Sequence, residues 1–143
     1  MTKFELQKRT KKFHVEVIKL CEFYPRNAAG FEIAKQLIRS AGSVGANYRA
    51  AYRSKSKADF IYKIEVVLEE ADESLYWLEV SKEAELIKLA LIDELIKEAN
   101  ELVSIFNAAD ITAKRNENGN KNPKITKSQN QQLNPRSWLQ TNL

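Results

Sequence analysis

Apolar residues recur at spacings of three and four through the first 113 positions, a period that fits α-helix from end to end. Phe13, Val17, Leu20, Cys21 and, at the edge, Tyr24 predict a first helix from about Lys3 to Phe23. Pro25 ends it, because proline pushes the residue before it out of helical conformation. Asn27 then stands where an N-cap is needed. In a second helix, from about Ala28 to Arg53, Ala34, Leu37, Ala41, Val44, Tyr48 and Ala51 fill a and d heptad positions. Lys35, Arg39, Arg49 and Arg53 fall on the opposite face.

The middle of that second helix holds Gly42 and Gly45. Each costs about 1 kcal/mol relative to alanine inside a helix. Either another helix backbone comes close there, or the helix breaks in two. The unshifted a/d register favours one continuous helix.

Ser54-Lys55-Ser56-Lys57 reads as a short turn, with Ser56 and Asp59 spaced as a capping pair. A third helix follows from about Lys57 to Ser81, with Ile61, Ile64, Leu68, Ala71, Leu75 and Leu78 in its seam. So short a turn makes helices two and three antiparallel neighbours. The connection from Lys82 to Leu91 has neither Gly nor Pro to mark its ends. A fourth helix runs from about Ile92 to Lys114, with a seam from Leu95 to Ala109.

Beyond Ala113 the periodicity stops. Residues 114–143 hold seven Asn, four Gln and six Lys/Arg, too little apolar surface to offset the entropy of ordering. The fold class expected is therefore all-α: an antiparallel up-down four-helix bundle over residues 1–113, followed by a disordered basic tail over 114–143.

The net charge is +4, and its distribution changes the picture. Residues 1–57 carry 13 Lys/Arg against 4 Asp/Glu, and residues 58–113 carry 4 against 14. The chain is an electrostatic dipole. One half can meet anions, or the two halves of different copies can meet each other. The single cysteine, Cys21, rules out an internal disulfide and suits a reducing compartment. No apolar run approaches a membrane span, and the polar N-terminus resembles no signal peptide. The expected location is the cytoplasm, with no membrane partner.

Enzyme signatures are lacking. His14 is the only histidine, and with one Cys and no C-x-x-C or H-E-x-x-H spacing there is no metal site to expect. Gly42 and Gly45 are not followed by the Lys-Ser/Thr of a phosphate-binding loop. The run Glu69-Glu70-Ala71-Asp72-Glu73 falls mostly on an outward face without histidines, unlike a di-metal bundle. A non-enzymatic protein without cofactor is expected.

The cations carry the functional reading. Lys8, Arg9, Lys11 and Lys12 crowd helix one; Lys35, Arg39, Arg49 and Arg53 line helix two; Lys55 and Lys57 continue into the turn. Tyr48 and Tyr52 lie beside the arginines. Such a set can hold the phosphates of RNA or DNA and stack its bases. It can equally be a solvated face, or one that pairs with the acidic half of another copy, for which Glu69 and Glu73 are candidates. Tyr76 and Trp77 fall outside the third helix's seam. They mark an interface or cap the connecting loop.

The run Gln36-Leu37-Ile38-Arg39-Ser40-Ala41, then Ser43-Val44-Gly45-Ala46-Asn47, then Phe60 through Leu78 resembles the four helix bundle protein family, also called the 23S rRNA intervening-sequence proteins. The resemblance covers roughly residues 4–112. It implies an up-down bundle and a ring-shaped homopentamer, as in the related accessory proteins of diversity-generating retroelements. Those proteins are basic and bind nucleic acid and a reverse transcriptase, so the resemblance implies the same kinds of partner here. Many members continue Asn-Ile-x-Glu-Gly, whereas Asn47 is followed by Tyr48-Arg49-Ala50-Ala51. In a ring, each copy's basic helices would face a neighbour's acidic ones.

Overall fold

The computed structural model describes residues 1–120. They form four helices: α1 (Lys3–Cys21), α2 (Ala28–Ala51), α3 (Lys57–Glu83) and α4 (Ala90–Asn120). Consecutive helices pack side by side, and α1 closes the bundle against α4 through its lightest seam. With connections this short the neighbours run antiparallel. The architecture is the up-down four-helix bundle expected, and among the described residues there is no strand.

The helix ends have local causes. Thr2 caps α1 by accepting from the Glu5 backbone N–H at 3.2 Å, while Glu5 returns a bond from the Thr2 N–H at 2.8 Å. This reciprocal box is written in the sequence as Thr2-x-x-Glu5. Asn27 caps α2 through Gly30 N–H, and Ser56 caps α3 through Asp59 N–H, as the sequence indicates. The α3 end does not advertise itself. Glu85 adopts a left-handed conformation, φ 57°, and Leu86 N–H bonds back to the Ser81 carbonyl at 2.9 Å. That is a Schellman ending without its usual glycine.

The largest difference lies at the C-terminal end. Helix α4 does not stop near Lys114 but continues to Asn120, so the expected start of the tail falls inside a helix. Ala113 is fully buried, Lys114 pairs with Glu65 at 2.9 Å and Asp110 at 3.0 Å, and Lys57 donates to the Asn116 carbonyl. The contacts of Glu65 and Lys57 from α3 hold a stretch whose composition alone would not. The rest of the expected disordered tail lies outside the described residues.

One core runs the length of the bundle, with Phe13, Val17 and Leu20 from α1 against Leu37, Val44, Tyr48, Ile64, Leu78, Leu102 and Phe106. Tyr48 is completely buried, its ring edge-on to Phe106 and its hydroxyl 2.6 Å from that of Tyr52. Ser74 Oγ–H donates to Ser40 Oγ at 2.8 Å across the α2–α3 seam, and Tyr24, in the connection after α1, bonds Ser81 of α3. These buried polar contacts fix how the helices slide against one another. No described helix is long and apolar enough to cross a membrane.

The two mid-helix glycines of α2, Gly42 and Gly45, do not break it. A methyl at Gly45 would sit 3.5 Å from the Thr10 carbonyl, and one at Gly42 would come 3.0 Å from the His14 imidazole. Helix α1 backbone therefore comes close at Gly45, the first of the two explanations that the sequence leaves open, while at Gly42 the neighbour is the His14 side chain.

Two predictions follow from the packing. Gly30→Ala places a methyl 1.9 Å from the Pro25 carbonyl oxygen, against backbone that cannot yield cheaply. It should destabilise by about 1–3 kcal/mol in urea unfolding, whereas Gly45→Ala should be neutral or stabilise by up to about 1 kcal/mol. Burial also pushes the Cys21 thiol from 9.0 up to about 12, and the Tyr24 and Tyr52 hydroxyls from 10.0 up to about 12. Each neutral form is favoured in the fold. Its stabilising contribution is complete below the unfolded pKa and is lost as pH rises through the folded one. The melting temperature should therefore hold to about pH 9 and fall steadily towards pH 12.

Candidate nucleic-acid interface

The close approach of α1 to α2 leaves a groove of about 520 Å³ along the outside of their seam. Its walls are Phe4, Gln7, Lys8, Lys11 and His14 from α1 and Ala46 and Arg49 from α2, with Gly42 and Gly45 between them. Phe4, Lys8 and Lys11 recur at heptad spacing, and Val15 and Ile18 extend the same exposed stripe. It lies on the side of α1 opposite the buried stripe of Leu6, Phe13, Val17 and Leu20.

The expected phosphate ligands divide into two groups. Lys8, Lys11 and Arg49 line the groove, and among the described residues none has a carboxylate partner. Lys12, Lys35, Arg53 and Lys55 are exposed but do not line it. The others are engaged by groups of neighbouring helices, Arg39 on an exposed surface. Arg9 Nε donates to Glu98 Oε2 at 2.8 Å and the guanidinium also bonds Glu101, joining α1 to α4. Those bonds, that to Glu98 first, raise its pKa further. Arg39 bonds Glu73 at 2.6 Å and lies 3.3 Å from Glu70, joining α2 to α3. The Arg39 hydrogen bond holds the Glu73 carboxyl below the usual range, while burial raises that of Glu70. Lys57 is committed to the Asn116 carbonyl, and desolvation lowers its pKa.

The aromatic candidates need correction. Tyr48 is not a surface residue and cannot stack on a base or meet a partner, because its a/d position places it in the core. Tyr52 is half-buried against it. Trp77 is also half-buried, its indole N–H donating to Glu73 Oε1 at 3.2 Å. Tyr76 is exposed, edge-on to Trp77. Of the acidic candidates, Glu69 is free on the α3 surface while Glu73 is tied to Arg39.

The geometry adds residues that the sequence reading passed over. Phe4 and His14 enter the groove, Phe4 because it follows the heptad stripe of Lys8 and Lys11. Tyr62 stands exposed two heptads before Tyr76, with Glu69 midway, so the outer α3 face is acidic and carries two tyrosines. The spacing 62, 69, 76 was the available signal.

The family model of the 23S rRNA-intervening sequence protein matches residues 2–108. The chain belongs to this family. A crystal structure of a protein with unknown function from the S23 ribosomal protein family, from Bacteroides thetaiotaomicron, is 31% identical. The alignment covers 75% of this chain and 96% of that one, with a TM-score of 0.68. No functionally curated protein matches. The matched span contains the whole groove and the ion pairs of Arg9 and Arg39.

The two groups of cations should separate on stability. Arg9→Ala removes charge-assisted bonds at a partly shielded seam and should cost about 1–2 kcal/mol in urea unfolding. Lys8→Ala, Lys11→Ala and Arg49→Ala should each stay within about 0.5 kcal/mol.

Proposed function

We propose that this chain is a non-enzymatic, homo-oligomeric nucleic-acid-binding accessory protein of the cytoplasm, and that the α1–α2 groove holds the phosphate backbone. The observation that carries this reading is selective neutralisation. Arg9 and Arg39 are satisfied by the chain's own carboxylates, whereas Lys8, Lys11 and Arg49 converge on one groove with none. A cleft lined by one sign of charge concentrates anions of the other sign. Lys12, Lys35, Arg53 and Lys55 widen the positive field around it.

Assembly is supported by the outer face of α3. The exposed Tyr62 and Tyr76 on the acidic α3 face are what an interface displays. A neighbour's basic α1 or α2 surface complements it. The ring of five that the resemblance implies would join such faces. If that face alone is functional, the protein is a scaffold that binds only protein, itself or a partner such as a reverse transcriptase.

A salt titration separates the two. Each phosphate contact should steepen the dependence of log affinity on log salt by about 0.7–0.9. Replacing Lys8, Lys11 and Arg49 together by Ala should flatten the slope by about 2. A slope that does not change would remove the groove from the site, and no binding at any salt would leave the scaffold reading.

A further inference from the structure

The groove's chemistry goes beyond positive charge. None of the polar side chains lining it (Gln7, Lys8, Lys11, His14, Arg49) makes a side-chain hydrogen bond or ion pair among the described residues. The Gln7 amide and the His14 imidazole are both half-buried, yet both keep their hydrogen-bonding atoms uncommitted. At one end stands Phe4, 69% exposed, the most exposed aromatic ring in the described residues. It is not loose: the Lys3 ammonium lies 5.1 Å from the Phe4 ring centroid and 5.1 Å from that of Tyr52, tying the ring to the end of α2.

Resting on the nucleic-acid reading above, we infer that the groove takes single-stranded nucleic acid, one unpaired base stacking on Phe4 while the adjoining phosphates lie between Lys8, Lys11 and Arg49. Two features favour a single strand over a duplex in this groove of about 520 Å³, which has room for a splayed nucleotide. An exposed aromatic ring gains from a base only when the base has left its own stack. The uncommitted Gln7 amide can pair with a base edge, which in a duplex is occupied by its complement. The glycines make this possible. Side chains at Gly42 and Gly45 would fill the space between the walls, and the methyl at Gly42 would already press on His14.

The stacking contact predicts an effect that phosphate binding alone would not produce. The test measures the affinity of the full chain for a short fluorescent RNA strand, and for the same strand annealed to its complement, at one salt concentration. The proteins are the parent chain, Phe4→Ala, Phe4→Leu and Phe4→Trp. Phe4 is exposed, so its variants keep the fold, which circular dichroism and oligomer size verify. The parent should prefer the single strand. Phe4→Ala and Phe4→Leu should each weaken single-strand binding about tenfold and leave duplex binding unchanged, and Phe4→Trp should restore or exceed the parent affinity. Equal binding of the two forms by the parent, or single-strand binding indifferent to Phe4, would overturn the inference and leave a phosphate-only site. Failure to bind either form would overturn the nucleic-acid reading as well.

Discussion

The structure depends on the packing of α1 against the face of α2 that carries Gly42 and Gly45. At Gly45 the nearest part of α1 is backbone, the Thr10 carbonyl, and at Gly42 it is the His14 ring. Two glycines within a helix are unfavourable by about 2 kcal/mol together. Bringing α1 close offsets that through burial of Phe13, Val17 and Leu20 against Leu37, Ala41 and Val44. The same approach sets the depth of the groove and aims Lys8 and Lys11 towards Arg49. Packing and candidate function share one constraint.

Around that contact the charges sort themselves. The asymmetry of the chain, basic before residue 58 and acidic after it, is partly consumed within one molecule: Arg9 with Glu98 and Glu101, Arg39 with Glu70 and Glu73. Both arginines sit at helix seams, where a planar guanidinium can bond two carboxylates at once. Among the described residues, the cations of the α1–α2 groove and Glu69 on the outer face of α3 are left without such partners.

Helix number, order and core were legible because a heptad seam repeats without interruption in each helix, and caps such as Asn27 and Ser56 are readable by residue type alone. The end of α3 was not, since Glu85 takes a left-handed conformation that sequence associates with glycine. Nor was the extension of α4 to Asn120, which depends on Lys57 and Lys114 meeting partners from another helix. Site residues were harder still. Periodicity places Arg9, Arg39, Lys8 and Arg49 alike on polar faces; only the relative placement of helices distinguishes a cation beside a neighbour's glutamate from one facing a groove. Tyr48 shows the converse error. Its seam position was evident, but its arginine neighbours in sequence suggested a surface role that its burial forbids.

The most direct measurement is acetylation footprinting of the lysines, read by mass spectrometry with and without a saturating RNA strand. Lys8 and Lys11 should lose reactivity on binding, while Lys82, paired with Asp93 at the far end of α3, and Lys97 on the outer surface of α4 should not change. Protection spread evenly over all lysines, or confined to Lys82 and Lys97, would contradict the account.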